Sequence, residues 1–331
     1  MKIMMCGSKE GLARDLDLEI NIIKEKLGED TEIVIFEYSG TEKEELKKEI
    51  ATVDGVLISL VDLDSDIIRE MKQCKVISVQ ATGYNYVDLD VCKENKIGLT
   101  AIDEYCTQEV ADHCMAMLLS VARKIKFYNN DIEVNKNYAY NSTSGLIRLE
   151  GATLAIMGFG KIGKAVAKRA QGFGLNVIVY SPSCTQDVAK AHGCTLVTPD
   201  EIYAQADFIA LTMRLTAQNE NIINAESIAK MKKCPVIVNV ARGALIDDDA
   251  LIDGLDKGVI FGAGLDVLKE ETAEYASKFI NRDDILLTPH TAFYSDASQY
   301  EAQRISVDNL IYMLTGEYEK VCKIILDVQK R

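Results

Sequence analysis

The chain contains no tryptophan, four prolines and three histidines among its 331 residues. It also lacks any tract rich in Pro, Ser or Gly, so the composition indicates neither a flexible linker nor a disordered segment. We therefore expect the whole chain to fold, and its length predicts about two domains, each with its own core.

The chain has fewer positive than negative side chains. Lysine and arginine total 37 against 51 aspartates and glutamates, which gives a formal net charge of −14. Phosphate backbones and anionic membrane surfaces repel such a chain, so we expect neither nucleic acid nor membrane as a partner. No apolar run reaches the roughly 18 residues that cross a bilayer, and the N-terminus MKIMMCGSKEG is too short for a signal peptide. These absences predict a cytoplasmic protein.

Nine cysteines are present, but no two of them have the C-x-x-C spacing. Most lie inside apolar patterns such as HCMAMLLS and KKCPVIVNV, where reduced thiols are the expected state. Metal ligands would need cysteines and histidines closer together, so we expect no metal site and no disulfide.

Short apolar runs alternate with charged, helix-like segments, which predicts an α/β protein with parallel sheets covered by helices. The runs in the first hundred residues are KIMMC, TEIVIFE, GVLIS, KVISVQ and IGLTA. A long helical pattern follows, from Cys106 to about Lys126. A second alternation then runs through ATLAIMGFG, NVIVYS, DFIALTM, PVIVNVA, FGAGLDVL and DILLTPH, and residues 296–315 are predicted to form a helix that ends at Gly316.

The second alternation begins with a glycine motif, in which Gly158, Gly160 and Gly163 have G-x-G-x-x-G spacing between a predicted strand and a predicted helix. The first glycine permits a tight turn, the second lets the backbone approach a pyrophosphate, and the third allows close packing of helix on strand. The helix N-terminus supplies N–H groups for the phosphates. Glycines of ordinary turns are the alternative, but the flanking strand and helix favour a dinucleotide site.

Ser181 ends the next strand, at the position where an acidic residue would bind a ribose 2′-hydroxyl. A carboxylate repels a 2′-phosphate and a serine does not, so this residue favours NADP over NAD. No basic residue is adjacent, and Arg214 and Lys190 are distant candidates only. NAD, with Ser181 as a neutral turn residue, remains the alternative.

Three late apolar runs end in polar residues suited to chemistry, and ligands of parallel sheets bind at these strand ends. The first run is followed by Arg242, whose planar guanidinium can bind a carboxylate or carbonyl, although a surface cation is the alternative. The second run is followed by Asp266 and then Glu271, and the third run is followed by His290, directly after a proline.

His290 is the histidine with an expected acidic partner. If Glu271 held one ring nitrogen, the carboxylate would favour the imidazolium, which could donate a proton near neutral pH. A core histidine bonded to backbone is the alternative. His113 and His192 lie in helix-like or loop contexts without an expected acidic partner, and we interpret both as structural.

The motifs GFGKIG, NVARGALIDDDAL, GAGLDV and LLTPHTAFYS, in this order and spacing, closely resemble the D-isomer-specific 2-hydroxyacid dehydrogenases. The segments EYCTQEVADHCMAMLLSVARKI and PHTAFYSDAS look most like the C-terminal-binding-protein-like branch of that family. The resemblance implies a discontinuous, flavodoxin-like substrate domain of residues 1–101 and 293–331, and a Rossmann dinucleotide-binding domain of residues 102–292. It places the active site in the cleft between these two domains.

The resemblance also implies the activity, a hydride transfer between NAD or NADP and a 2-keto acid or D-2-hydroxy acid. Arg242 would polarise the carbonyl, His290 would protonate the forming alkoxide, and Glu271 would orient His290. Residues expected at the substrate are Ala81, Thr82, Gly83, Arg242 and Phe293, with Tyr294 beside the side-chain pocket. Residues expected at the cofactor are Gly158, Phe159, Gly160, Lys161, Ile162, Gly163, Ser181, Thr212, Ala241 and Asp266. A homodimer built mainly through the coenzyme domain is expected on the same grounds.

The sequence departs from the family at three positions. Thr272 follows Glu271 where proline is usual, and Glu270 is a possible substitute for Glu271. Ser181 replaces the usual aspartate, and Arg214 stands where the family often has proline.

A corepressor-like binding protein that senses NAD(P)(H) with little turnover is the alternative function. A phosphorylated substrate is disfavoured by the acidic composition.

Overall fold

A computed structural model of the chain describes residues 1–84 and 86–327. Contacts between residues divide the chain into two units, of which the first is Met1–Tyr105 with Ser295–Arg331 and the second is Cys106–Tyr294. No helix in the described ranges is both long and apolar enough to cross a bilayer.

Strands and helices alternate along both units. The strands are β1 Lys2–Gly7, β2 Glu32–Glu37, β3 Gly55–Ser59, β4 Val76–Val79, β5 Gly98–Ala101, β6 Thr153–Met157, β7 Asn176–Tyr180, β8 Thr195–Leu196, β9 Phe208–Leu211, β10 Val236–Asn239, β11 Gly262–Leu265, β12 Ile285–Leu287 and β13 Ile324–Leu326. The helices are α1 Lys9–Leu12, α2 Leu16–Leu27, α3 Lys43–Ile50, α4 Ser65–Glu70, α5 Leu89–Glu94, α6 Thr107–Ala122, α7 Ile125–Glu133, α8 Lys161–Gly172, α9 Gln186–Ala191, α10 Pro199–Gln205, α11 Ala225–Ala229, α12 Asp248–Asp256, α13 Ala273–Ala276 and α14 Asp296–Thr315.

The sheet of the first unit has the strand order β13-β5-β4-β3-β1-β2. Strands β1 to β5 are parallel, as their separation by helices predicts, and β13 adds an antiparallel edge beside β5. Strand β13, of three residues after the last α-helix, was not predicted.

The sheet of the second unit has the strand order β12-β11-β10-β9-β6-β7-β8, and every pair in it is parallel. All four residues of β9, β10 and β11 are buried, as expected for strands covered on both faces. Strand β8, of two residues, was not predicted. The predicted fold class, α/β with two Rossmann-like parallel-sheet domains, is confirmed.

The observed ends of α6 and α14 can be compared with the ends that the sequence predicts. The expectation of one helix from Cys106 to about Lys126 is wrong, because α6 ends at Ala122 and Lys124 adopts a left-handed backbone with φ of 51° before α7. The Nζ of Lys124 donates to Ser144 O at 2.8 Å, a contact across a loop that local periodicity cannot reveal. The predicted end at Gly316 is confirmed, since this glycine caps α14 with φ of 83°.

Candidate active site

The glycine motif forms the turn between β6 and α8. Gly158 has φ of 108°, and a Cβ at this position would lie 2.5 Å from Met213 N. A Cβ at Gly163 would lie 2.1 Å from Gly158 O. Only glycine fits at these two positions, so the residues required for the tight turn and for close packing of helix on strand are present.

Gly160 differs from the other two glycines, because nothing lies within 4 Å of a Cβ added there. It precedes α8, a helix of 12 residues whose N-cap makes no side-chain hydrogen bond. The first N–H groups of such a helix need an acceptor, and an anion at this end also benefits from the helix dipole. The open backbone around Gly160 therefore fits the pyrophosphate of a dinucleotide.

Neighbouring side chains hold this turn in place. Thr212 Oγ1 donates to Gly158 O at 2.7 Å, which links the end of β9 to the turn. The Phe159 ring is buried and packs edge-to-face against the His192 ring, with 5.6 Å between the ring centroids. Phe159 can therefore contact a cofactor only through its backbone, whereas Lys161 is exposed and Ile162 is half-buried.

Ser181 follows β7 and is half-buried. Its Oγ lies 3.4 Å from Ser183 Oγ. Within the described ranges, no hydrogen bond joins Ser181 to Arg214, to Lys190 or to another basic side chain. The structure thus places two serines, Ser181 and Ser183, in the turn after β7, where the sequence predicts the ribose.

Arg242 projects from a turn that a buried asparagine holds. Asn239, at the end of β10, is fully buried; its Nδ2 donates to Arg242 O at 2.9 Å and its Oδ1 accepts from Ala241 N at 3.0 Å. The guanidinium is exposed and donates from Nη1 to Ala241 O at 2.6 Å. Asn239 was not predicted, although an asparagine at a strand end before a turn is a recognisable signal.

Gly243 brings the Arg242 turn against a second segment. A Cβ at residue 243 would lie 2.0 Å from the Leu268 carbonyl carbon and 2.3 Å from Lys269 N. The backbones therefore pack directly on each other, and the chain continues from Lys269 to Glu271. This contact fixes the position of Arg242 relative to the segment that leads to Glu271.

His290 and Glu271 meet, as the sequence analysis expects. His290 Nδ1 lies 2.9 Å from Glu271 Oε2, and the two side chains are 40% and 47% exposed. The backbone of His290 is left-handed, with φ of 51°, which is uncommon for a residue other than glycine. The Phe293 ring lies edge-to-face beside the imidazole, with 6.1 Å between the ring centroids.

Asp266 organises the turn that carries His290. Its buried carboxylate accepts from Thr288 Oγ1 at 2.6 Å, from Thr291 N at 2.8 Å and from Ala292 N at 3.1 Å. Its backbone carbonyl accepts from His290 N at 2.7 Å. Asp266, expected at the cofactor, therefore also holds the unusual backbone of His290, since strain persists only where the surroundings impose it.

The interpretation of His113 as a histidine without an acidic partner is wrong. Its Nε2 lies 3.0 Å from Thr288 Oγ1 and 3.5 Å from Asp266 Oδ1. Sequence reasoning could not find this contact, because it joins a helix to a strand more than a hundred residues away. His192 has a structural setting, as expected, since its Nδ1 donates to Val188 O at 2.9 Å.

The loop after β4 lies in the first unit. Ala81 O accepts from Ile102 N at 3.0 Å, and Thr82 O accepts from Lys323 Nζ at 3.3 Å. Within residues 1–84 and 86–327, the N–H groups of Ala81, Thr82 and Gly83 make no hydrogen bond. Unpaired amides at a strand end are suited to bind an anion such as a carboxylate.

A buried carboxylate lies behind this loop. Glu19 Oε1 accepts from Gln80 Nε2 at 2.7 Å, and Glu19 Oε2 is paired with Arg14 Nη2 at 3.0 Å. Burial raises the pKa of Glu19, and the neighbouring arginine opposes that change. Neither residue was predicted from the sequence. Among the residues that the structure describes, no group of three or more His, Cys, Asp or Glu side chains is arranged to hold a metal ion.

Comparison with known proteins identifies similar chains over most of this length. A family model described as D-isomer specific 2-hydroxyacid dehydrogenase, NAD binding domain, matches residues 115–292. D-3-phosphoglycerate dehydrogenase 2, chloroplastic, of Arabidopsis thaliana is 35% identical over 290 residues, which cover 85% of this chain and 46% of that protein. The chain thus matches about half the length of that relative.

Two further similar proteins are covered over most of their length. Hydroxypyruvate reductase of Blautia hydrogenotrophica is 32% identical over 289 residues, which are 86% of this chain and 89% of that protein. The apo structure of D-lactate dehydrogenase from Escherichia coli has a TM-score of 0.83 at 25% identity, and the match covers 98% of this chain and 100% of that chain.

Proposed function

Because the chain belongs to the D-isomer-specific 2-hydroxyacid dehydrogenase family, we propose that it reduces small 2-keto acids to D-2-hydroxy acids, reversibly, with a nicotinamide cofactor. The observation that carries the proposal is the contact of 2.9 Å between His290 Nδ1 and Glu271 Oε2. A ketone that accepts a hydride also needs one proton, and an imidazole paired with a carboxylate supplies it.

The chain would hold the cofactor through the backbone from Gly158 to Gly163 and the N-terminus of α8. When bound, the reduced nicotinamide supplies the hydride. The ends of β7, β9, β10 and β11 deliver the other residues that we propose at the cofactor, which are Ser181, Thr212, Ala241 and Asp266.

The protein's own groups bind and protonate the substrate. The guanidinium of Arg242 would bind the carbonyl and carboxylate oxygens, because its planar N–H groups match both. His290 would donate its Nε2 proton to the carbonyl oxygen as the hydroxyl forms. Glu271 accepts from Nδ1, so it orients the ring. In the oxidation direction neutral His290 takes the proton back.

The substrate carboxylate would also be bound by the backbone N–H groups of Ala81, Thr82 and Gly83, and Phe293 would line the pocket for the side chain. We accordingly propose the first unit as the substrate domain and the second as the coenzyme domain. A cytoplasmic location, expected from the sequence, is part of the same proposal.

The choice between NAD and NADP rests on Ser181. A neutral residue at the ribose position tolerates a 2′-phosphate, and this supports NADP. Within the described ranges, no basic side chain is hydrogen-bonded to Ser181, which disfavours tight binding of that phosphate. We therefore propose activity with both cofactors and a preference for NADP.

We also propose a homodimer formed through the second unit. Large apolar side chains are exposed along residues 125–146, among them Tyr138 at 92% and Tyr140 at 90%. Exposed apolar residues concentrated in one segment are typical of a protein interface. A second copy of the chain is the partner that the family resemblance implies.

The corepressor-like alternative gains no support from the named relatives, which are a hydroxypyruvate reductase and two dehydrogenases. The likeness to the C-terminal-binding-protein-like branch stays a prediction from the two quoted segments. An intact set of Arg242, Glu271 and His290 favours an enzyme that turns over.

The test follows nicotinamide absorbance with NADH and NADPH across glyoxylate, pyruvate, hydroxypyruvate, its 3-phosphate, and branched and aromatic 2-keto acids. Turnover of one size class supports the proposal and defines the side-chain pocket. Tight cofactor binding by calorimetry without turnover of any acid would overturn it in favour of a cofactor sensor.

A further inference from the structure

Helix α6 lies against strand β11 in a register that two glycines permit. A Cβ added at Gly262 would lie 2.6 Å from Val121 Cγ1, and one added at Gly264 would lie 3.0 Å from Met117 Cβ. Two residues of a strand advance about 6.6 Å and four residues of a helix about 6 Å. Every second residue along β11 therefore continues to face every fourth residue along α6. The next pair in this series is His113 with Asp266.

The hydrogen bonds at this third position have a defined direction. The Thr288 hydroxyl donates its single proton to Asp266 Oδ1 at 2.6 Å. It can then only accept from His113 Nε2, which lies at 3.0 Å. His113 is therefore protonated on Nε2, and it restrains the Thr288 hydroxyl in the orientation that donates to Asp266.

Packing alone does not require a histidine at this position. Met117 and Val121 fill the two preceding positions of the row with apolar side chains, and leucine would continue the row. The His113 side chain is 22% exposed while that of Asp266 is 1% exposed. The partly exposed His113 imidazole thus makes a polar contact with the buried Asp266 carboxylate.

We propose that His113 is a positioning residue for the proton donor His290. Through Thr288 it keeps the Asp266 carboxylate in the orientation that also accepts from Thr291 N and Ala292 N. Those bonds, with the one from His290 N to Asp266 O, hold the left-handed backbone that presents the imidazole. A loosened Thr288 hydroxyl would let this turn sample other conformations and would misplace the His290 ring.

The variants that test this role are His113→Leu, His113→Gln, Thr288→Val and the double variant of His113→Leu with Thr288→Val. Glutamine places an amide N–H near the position of the imidazole Nε2, so it can restore the bond that leucine removes. Val121→Ala is the matched control, because it weakens the packing of α6 on β11 without touching the bonds at Asp266.

Because the kinetic part rests on the proposed function, the experiment has two readouts. One is kcat in the direction of keto-acid reduction, with its primary isotope effect from cofactor deuterated at the transferred hydrogen. The other is hydrogen–deuterium exchange of the peptide that contains residues 288–292, which needs no turnover.

We expect His113→Leu to lower kcat about tenfold and to raise the isotope effect, because a reacting group is misplaced. The KM for cofactor should stay within about twofold of the wild-type value. Exchange at residues 288–292 should accelerate, His113→Gln should restore both readouts, and the double variant should lose no more than either single variant. Val121→Ala should lower the melting temperature and leave kcat unchanged.

Three results would overturn the role of His113. They are unchanged exchange and kcat in His113→Leu, an equal loss in Val121→Ala, and failure of glutamine to restore what leucine removes. A wild-type chain without turnover would contradict the proposed function instead, and the exchange data would still decide whether His113 holds the turn.

Discussion

The His290 imidazole and the Glu271 carboxylate meet at 2.9 Å, between Nδ1 and Oε2, although the residue after Glu271 is threonine and not proline. Neighbouring Glu270 is exposed. The structure thus joins Glu271 to the proposed proton donor and supports the assignment made from the sequence.

Glu271→Gln should lower kcat for reduction at least about tenfold, because the imidazolium loses its charged partner. Glu270→Gln is the matched control, and steady-state pH profiles of both variants make the comparison. A larger loss in Glu270→Gln would mean that Glu270 takes the acidic role.

Arg242→Lys should lose roughly a hundredfold in kcat/KM for the keto acid, because an ammonium cannot replace two parallel N–H groups on one substrate. Cofactor affinity, measured by calorimetry, should change little. The exposed Arg123 offers a control of the same type, and Arg123→Lys should behave as the wild type. Near-normal activity of Arg242→Lys would count against bidentate binding.

Gly243→Ala should destabilise the protein by about 1–3 kcal/mol and displace Arg242, because a Cβ there meets the Leu268 backbone at 2.0 Å. Gly172→Ala is the control in α8, where nothing lies within 4 Å of the added atom. Thermal unfolding of both variants, with kcat measured below the transition, tests the contact. Equal stability of the two variants would refute it.

Ser181→Asp should lower the ratio of kcat/KM for NADPH over NADH at least about tenfold, because a carboxylate repels the 2′-phosphate and binds the 2′-hydroxyl. Ser183→Asp, two residues away, controls for added charge near the same turn. If the ratio stays constant in Ser181→Asp, the serine is a neutral turn residue and carries no cofactor preference.

Val134→Glu should shift the protein from dimer to monomer in light scattering, because a charge would be buried at the proposed interface. Val134 is 66% exposed in the single chain. Ile35→Glu, at an apolar residue of the first unit that is 48% exposed, should leave the dimer intact. A wild type that is monomeric at all concentrations would exclude the interface.

Local patterns predicted most strands and the glycine turn, because buried parallel strands and phosphate turns impose composition on a few consecutive residues. Gly158 and Gly163 are an example, since a Cβ at either position would meet backbone atoms, as the spacing suggests. The end of α14 at Gly316 follows from the same kind of local rule.

Contacts distant in sequence could not be predicted in this way. The break between α6 and α7 lies at Lys124, whose Nζ binds Ser144 O twenty residues later, and the partner of His113 depends on the register of a helix on a strand. Asp266 was recognised as polar and well placed, but its bonds to the turn at Thr291 and Ala292 depend on the left-handed backbone of His290.

The most direct test of the central claim is the fate of the transferred hydrogen. A 2-keto acid of the accepted size class is reduced with cofactor deuterated at the transferred position, and the product is analysed by chiral chromatography with mass spectrometry. The proposed function predicts a D-2-hydroxy acid that carries one deuterium on C2. An L-product, or a product without deuterium, would contradict it.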